Sequence, residues 1–372
     1  MSKLFETTTI KGMEMSNRFV RSATWEGLAL EDGSCTPALI TMMTRLAEGR
    51  VGLIIPGHTY ISPEGQAGPW QLGVHQEACL KGLKEMTDMV HGRSGKMVLQ
   101  LAHAGYFANP KLTGRKPLTP SEVAGGAKTP RQVMTVEDIQ GVVEAFGQSA
   151  RRAREAGFDG LQIHAAHGYL LSQFLSPYFN KRNDAYGGSL ENRARILREV
   201  LRRVREAVGE DFPVLIKMNS QDYLEGGFTL EESLKVGWML QEEGIDAIEI
   251  SGGTLISGML TPSRMKITTE EREAYFRQAA KAFKARLQVP VILVGGIRSL
   301  PLAERLLEEG YADYLSLSRP LIREPGLIKR WASGDRAKAA CLSDNQCFKP
   351  AREGEGLYCL VEKQEKEKES AQ

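Results

Sequence analysis

His164, His167 and Tyr169 fall within six residues, in the run DGLQIHAAHGYLLSQFLSPY from Asp159 to Tyr178. A neutral imidazole donates one N–H, so two of them can hold one oxygen, and a phenol beside them can supply a proton. The apolar run Gly160 to Ile163, bounded by Gly157, reads as a short strand, and the trio follows where it ends. If the chain turns helically there, residues three apart share a side and the two imidazoles can address one small group. A lone histidine would read as a satisfied polar residue at a strand end. Two histidines and a tyrosine directly after a buried-type strand read as a site.

The elements that position this trio can be taken in chain order. Phe5 to Asn17 reads as a lid or hairpin and Arg18 to Ser22 as the first strand. A helix is expected over Pro37–Glu48, with Thr36 as N-cap, Pro37 at its first position and Gly49 as its stop. Val51 to Ile55 is an unbroken apolar run, as a strand covered on both faces should be. A helix over Glu77–His91, a strand over Lys96–Leu101 and an insertion from Ala104 to Pro130 follow. Thr135 opens a helix running to Ala156, with Asp138 completing a pattern like a capping box. The fourth strand then ends at His164.

Beyond it, Ser189 caps a helix over Leu190–Val208, and Pro213–Met218 is the fifth strand. Thr229 caps a helix that reaches Glu243 and stops at Gly244. The remaining strands are Ala247–Ile250, Pro290–Val294 and Tyr314–Leu317, with helices over Glu270–Leu287, Pro301–Glu309 and Gly326–Ala332. Eight strands alternating with eight helices predict an α/β chain of the (β/α)8 TIM barrel type. It would be a single domain over residues 1–335 with a short C-terminal extension over 336–372. An open doubly wound sheet is disfavoured, because no glycine-rich fingerprint follows the first strand. The terminal VEKQEKEKESAQ lacks a core face and is expected to fray.

Composition narrows the function classes. Hydrophobic residues make up 42%, enough for a large core, and the formal charge of +2 gives no case for nucleic acid or a membrane surface. No apolar run approaches the roughly 20 residues that span a bilayer. The start lacks the apolar core of a signal peptide, and five cysteines, an odd number, suit reduced thiols and the cytoplasm.

In such a barrel chemistry sits at the C-terminal ends of the strands. Those ends carry Ala23, Thr24, Trp25 and Glu26; Gly57, His58 and Thr59; Gln100 and His103; Lys217 and Asn219; Ser251, Gly252 and Gly253. Gly295 and Gly296 follow the seventh strand, and Ser318 and Arg319 the eighth. Barrels commonly bind phosphate between those last two loops. Glycines let backbone N–H groups approach an anion, and an arginine can hold it bidentately. Gln100 offers donor and acceptor together, as a pyrimidine edge requires, and Lys217 adds positive charge.

At this point the chain resembles a known family, the old yellow enzymes, FMN-dependent NAD(P)H oxidoreductases that reduce activated alkenes. The resemblance runs from about Lys3 to Trp331. It is carried above all by HAAHGYLLSQFLSPYFNKRNDAYGGSLENR from His164 to Arg193. NRFVRSATWEG, GLIIPGHTYISPEGQ, LQLAHAGY and the VGGI and LSRPLIREP loops support it in order. It implies FMN as cofactor, NAD(P)H as electron donor and a small activated alkene as substrate. His164 and His167 would hold the substrate oxygen over the flavin. Hydride would come from flavin N5 and a proton from Tyr169. Gln100 would bond the flavin pyrimidine, and Lys217, at a position usually arginine, would lie beside it. Gly295, Gly296, Ser318 and Arg319 would hold the FMN phosphate. Ala23, Thr24 and His58 would pass the isoalloxazine by backbone contacts. A homo-oligomer is compatible with the resemblance.

Departures from the family pattern are visible. Trp25 takes the place of the threonine or cysteine that commonly tunes the flavin, and His58 replaces a small residue. Cys341, Cys347 and Cys359 resemble a cluster loop of longer relatives, similar to 2,4-dienoyl-CoA reductase, in which four cysteines hold a [4Fe–4S] cluster. Asp344 stands where the second cysteine would be, and the further domains of those relatives are expected to be absent. Three thiolates and a carboxylate could hold zinc; unliganded thiols are the preferred reading, so no metal site is assigned. Two other functions stay open on the residues. His58, His103, His164 and His167 could serve a metal-dependent barrel hydrolase, or the chain could bind flavin with little catalysis.

Overall fold

The computed structural model describes residues 2–123 and 129–370, so part of the expected insertion at Ala104–Pro130 lies outside the described residues. Eight parallel strands form the barrel wall: β1 Phe19–Arg21, β2 Leu53–Ile54, β3 Val98–Ala102, β4 Gly160–Ala165, β5 Val214–Asn219, β6 Ala247–Ser251, β7 Val291–Val294 and β8 Tyr314–Leu317. β8 pairs with β1, setting Leu315 opposite Phe19, and β4 pairs with β5, setting His164 opposite Lys217. A bridge between Ile54 and Met97 closes the ring. The second strand is broken after Ile55 by Pro56, which has no N–H to give. A further pair, Thr59–Tyr60, rejoins β3.

Side chains two apart on each strand point the same way, and this places the site. Inward positions low in the barrel are apolar: Val20, Leu53, Val98, Leu215, Ala247, Ile292 and Tyr314 cluster there. The antiparallel hairpin Thr8–Ile10 and Met13–Met15 plugs that end with Ile10, Met13 and Met15. Two residues further up, the same strands carry Ser22, Gln100, Lys217, Glu249 and Ser316, all buried. The barrel therefore has an oily floor and a polar upper layer, and the site stands on that layer.

Around the wall run the helices α1 Pro37–Glu48, α2 Leu80–His91, α3 Val136–Glu155, α4 Leu190–Val208, α5 Leu230–Glu242, α6 Arg277–Lys284, α7 Leu300–Glu308 and α8 Leu327–Ala332. The four caps expected, at α1, α3, α4 and α5, are present. Thr36 accepts from Leu39 N–H, and Thr135 with Asp138 and Thr229 with Glu232 form full capping boxes. Among the described residues no helix is long and apolar enough to cross a membrane.

Two expectations are corrected. The helix expected over Glu270–Leu287 is confined to α6, preceded by a single turn at Glu270–Arg272. The buried Glu273 accepts the N–H groups of Arg298 and Ser299, and Tyr275 N–H bonds Gly295 O, so the chain is tied to the seventh loop instead of continuing a helix. The tail expected to fray forms a helix over Leu360–Ser370, with a Lys366–Glu362 pair along it and Arg323 pairing Glu365. Residues 371–372 lie outside the described residues.

Candidate active site

A cavity of about 430 Å³ opens on the polar layer, and it brings the separate strand ends together. Ala23, Thr24, His58, Gln100, His164, His167, Tyr169, Lys217, Gly296, Ser318 and Arg319 all line it; Gly295 alone of the expected residues does not. A larger space, about 920 Å³, lies on the outer wall between α1 and the Leu360–Ser370 helix. None of the clustered histidines, nor Tyr169, reaches it, so it is a gap between packed elements and not the chemical site.

Four rings form one wall of the inner cavity. The centroids of His164 and His167 lie 5.2 Å apart, those of His164 and Tyr169 4.9 Å, and those of His58 and Tyr169 5.2 Å. No helical turn produces this. β4 runs on to Ala165, His167 then takes left-handed backbone at φ 63°, and the helix Leu170–Leu175 begins only afterwards. A left-handed histidine is costly by roughly 1 kcal/mol, and here Asn219 Oδ1 fixes it by accepting the His167 N–H at 3.0 Å. Ser251 Oγ lies 2.8 Å from His167 Nε2 and sets the ring.

Burial fixes the charge states. Desolvation, then the neighbouring cationic groups, holds both His164 and His167 well below the usual imidazole range. The same causes, burial first and Lys217 second, bring His58 down to about 4. Burial pushes the Tyr169 phenol well above its ordinary value. His58, His167 and Tyr169 show some surface to the cavity, but protein encloses them on every other side, so desolvation still dominates. At neutral pH the wall is therefore three uncharged imidazoles and one uncharged phenol. Each neutral imidazole can donate one N–H, and the phenol keeps its proton for delivery.

His58 makes a contact that the sequence did not suggest. Its carbonyl accepts from Gln71 Nε2 at 2.9 Å, but its side chain carries the main contact: Nε2 lies 3.0 Å from the Tyr169 hydroxyl. His103, by contrast, accepts Gly105 N–H at its Nδ1 and does not line the cavity, which breaks the histidine set that a hydrolase would need. Among the described residues no group of three or more His, Cys, Asp or Glu is arranged to hold a metal.

The floor is a buried polar chain. Gln100 Nε2 donates to Gln162 Oε1 at 2.7 Å, and Gln162 Nε2 to Glu249 Oε2 at 2.8 Å. Glu249 Oε1 accepts from Ser22 and Ser316 at 2.8 and 2.9 Å and lies 3.2 Å from Lys217 Nζ. Burial alone would raise the Glu249 pKa, but Lys217 and these three donors outweigh it and hold the carboxyl below its ordinary value. Glu249 and Gln162 were not singled out from the sequence. The signal was there, a carboxylate and an amide in the middle of otherwise apolar strands.

The far end suits an anion. Gly295 and Gly296 take φ values of 134° and 75°, and a Cβ on Gly296 would stand 2.9 Å from the Tyr275 ring. Only glycine keeps that backbone open to a ligand. Arg319 lines the same end, braced by Asn345 Oδ1, which accepts from Nη1 at 2.7 Å. Thr24 and Ser318 hydroxyls join at 2.6 Å. A flat heterocycle with a phosphate tail fits these groups: a donor–acceptor amide and an ammonium at one end, an open glycine turn with an arginine at the other.

The C-terminal extension lines the mouth, which sequence reasoning missed by attending only to its cysteines. Ser343, Asn345, Phe348 and Arg352 line the cavity, and Phe348 packs with Trp25, Cys347 and Leu357. The Trp25 Nε1 is buried without a partner. Cys341, Cys347 and Cys359 are unlinked and share one small cleft with Asp344. Burial pushes the Cys347 thiol up to about 12.

Comparison with known proteins agrees with this geometry. The model of the NADH:flavin oxidoreductase / NADH oxidase family matches residues 3–338. An NADH oxidase of Thermoanaerobacter brockii is 36% identical over 92% of the chain, which spans about half (52%) of that relative. An NADPH dehydrogenase of Halalkalibacterium halodurans is 35% identical, with 87% of the chain and 92% of the relative covered. Among solved structures, a 2-naphthoyl-CoA reductase complex superposes with a TM-score of 0.89 at 28% identity, over 96% of the chain and 56% of that protein. An old yellow enzyme homologue from Zymomonas mobilis does so at 0.77 and 25%, over 94% and 98%. The barrel, the polar cavity at its C-terminal face and the matched span agree, and the chain belongs to the NADH:flavin oxidoreductase / NADH oxidase family, the old yellow enzymes, whose cofactor is FMN and whose electron donor is NAD(P)H.

Proposed function

We propose that the chain is an FMN-dependent NAD(P)H oxidoreductase that reduces the C=C bond of α,β-unsaturated carbonyl substrates. The observation that carries this reading is the uncharged wall of His164, His167, His58 and Tyr169 above Gln100 and Lys217. Bound FMN would take hydride from NAD(P)H and pass it to the substrate. Gln100 and Lys217 would hold its pyrimidine edge, and the backbone of Gly295 and Gly296, with Ser318 and Arg319, its phosphate. Ala23 and Thr24 would flank the ring.

The residues of the wall do the rest. His164 Nε2 and a ring nitrogen of His167 donate to the carbonyl oxygen of the substrate, which draws electron density from the β carbon. Two neutral donors suit a neutral carbonyl, because they polarise it without placing a second fixed charge beside Lys217. Tyr169 holds its proton at the hydroxyl and delivers it to the α carbon. In the tautomer that carries its proton on Nε2, His58 donates to the Tyr169 oxygen, which positions the phenol and leaves its own proton free for the substrate. Phe348 and Trp25 would give the mouth an apolar edge.

The test is spectroscopic and uses the purified chain without oxygen. NADH or NADPH should bleach the flavin absorption, and cyclohexenone should restore it. A bleached protein that no activated alkene recolours, while oxygen does, would leave an oxidase without the proposed alkene chemistry.

A further inference from the structure

Glu249 makes no contact with the cavity, yet every polar group on its floor leads back to it. An ionised carboxylate can only accept, so the Gln162 group that faces Glu249 Oε2 at 2.8 Å must be its NH2. That choice leaves Gln162 Oε1 as the acceptor for Gln100 Nε2 at 2.7 Å. Gln100 in turn has one N–H committed to Gln162, and its Oε1 is left to face a ligand. One acceptor-only group at the bottom thus fixes the sense of two amides in series. The other carboxylate oxygen gathers Ser22, Ser316 and Lys217, so the ammonium on the floor is balanced by a buried negative charge. Lys217 Nζ also donates to the Ser22 hydroxyl at 2.7 Å. Gln100, Gln162, Lys217 and Glu249 are all at most 2% exposed, so water cannot scramble the relay.

We infer that Glu249 is a positioning residue for the cofactor: it sets which end of the Gln100 amide meets the flavin pyrimidine and offsets the Lys217 charge beside it. The inference rests on the FMN reading given above. It has two separable arms. The amide arm governs binding, because a Gln100 whose sense is no longer fixed from below can be held the wrong way round, with a donor facing a ligand donor, and must break its bond to Gln162 to be righted. The charge arm governs redox balance, because Lys217 without its counter-charge favours the reduced, more negative form of the ligand over the oxidised one.

The variant Glu249→Gln keeps the shape and removes the charge. It can offer either end of its own amide to Gln162, so the relay loses its direction. FMN binding to the flavin-stripped protein should weaken at least tenfold. The ratio of affinities for reduced and oxidised FMN should rise at least tenfold, which is an upward shift of about 30 mV for a two-electron couple. Gln162→Met cuts the amide arm while Lys217, Ser22 and Ser316 still hold the Glu249 charge; it should lose FMN affinity and leave the midpoint potential near that of the parent. A role confined to stabilising the barrel would lower the melting temperature of both variants without moving the potential of either.

Glu249→Gln with affinity and potential both within twofold and 10 mV (~2-fold in K) of the parent overturns the inference. So does an effect on affinity that is undiminished when Gln100 is already Leu, because the amide arm acts only through Gln100. A parent protein that takes up no FMN at all would instead refute the functional reading, and the two failures are distinguishable. If Glu249→Gln does not fold, Gln162→Met still decides the amide arm.

Discussion

Replacing Tyr169 by Phe isolates the proton from everything else at the site. The ring stays, and so does its packing against His164 and His58 at 4.9 and 5.2 Å. What goes is one hydroxyl and its 3.0 Å hydrogen bond to His58 Nε2. For stability that is a single bond, worth about 1 kcal/mol, and the freed His58 nitrogen faces the cavity and can take water. For catalysis the loss is larger. A positioned general acid contributes about 10²–10⁴-fold, which at about 1.4 kcal/mol per decade is roughly 3–5 kcal/mol of barrier. The phenol is held in its protonated form by burial, so its proton is present throughout the neutral range. The assay is rapid mixing of the two half-reactions. Bleaching by NAD(P)H should stay within about threefold of the parent, because no proton from Tyr169 is used there. Recolouring by an enone should slow at least a hundredfold. An alkene half-reaction at parental speed in Tyr169→Phe would refute the proton assignment and leave water or another group as donor.

Three further outcomes are expected. Gly296→Val places a side chain where φ is 75° and the nearest ring atom stands 2.9 Å away, so FMN affinity should fall at least a hundredfold in a flavin fluorescence titration while the far-ultraviolet circular dichroism is kept. His58 ionises near 4 when folded against about 6.5 unfolded. The unfolded chain therefore binds more protons between those values, and stability must drop as pH falls from about 6.5 towards 4, by up to about 3 kcal/mol from this group. Thermal melts should show that loss, and His58→Gln should melt with a visibly shallower pH slope. Thr229→Ala removes the α5 cap, whose hydroxyl accepts Glu232 N–H at 3.3 Å. It should cost about 1 kcal/mol in denaturant unfolding and leave the flavin spectrum untouched.

The parts of this molecule that follow from local rules were legible in the sequence. Thr36, Thr135, Ser189 and Thr229 cap the helices they were expected to cap, because capping is a contest over a few neighbouring N–H groups. The strand ends were legible too, and with them His58, Gln100, His164, His167, Tyr169, Lys217 and Arg319, which line the cavity. What failed were features decided by distant partners. The Glu270–Leu287 run has helical composition, but the buried Glu273 is claimed by Arg298, Ser299 and Lys338, and the chain bends to meet them. His164 and His167 converge through a left-handed residue tied to Asn219, which no spacing rule shows. The lining of the mouth by Asn345 and Phe348 depends on where residue 340 and beyond return to the barrel. The charged tail forms a helix with a local i,i+4 pair of its own, Glu362 with Lys366, and a partner from outside it, Arg323 on Glu365, which composition does not reveal.

In the proposed enzyme FMN would lie across the upper end of this barrel with its phosphate at Gly295, Gly296, Ser318 and Arg319. Titrating the flavin-stripped protein with FMN, and separately with riboflavin, tests it most directly. One FMN per chain should bind, tightly, and riboflavin, which lacks the phosphate, at least a hundredfold more weakly. Equal affinity for the two, or no uptake of either, would contradict it.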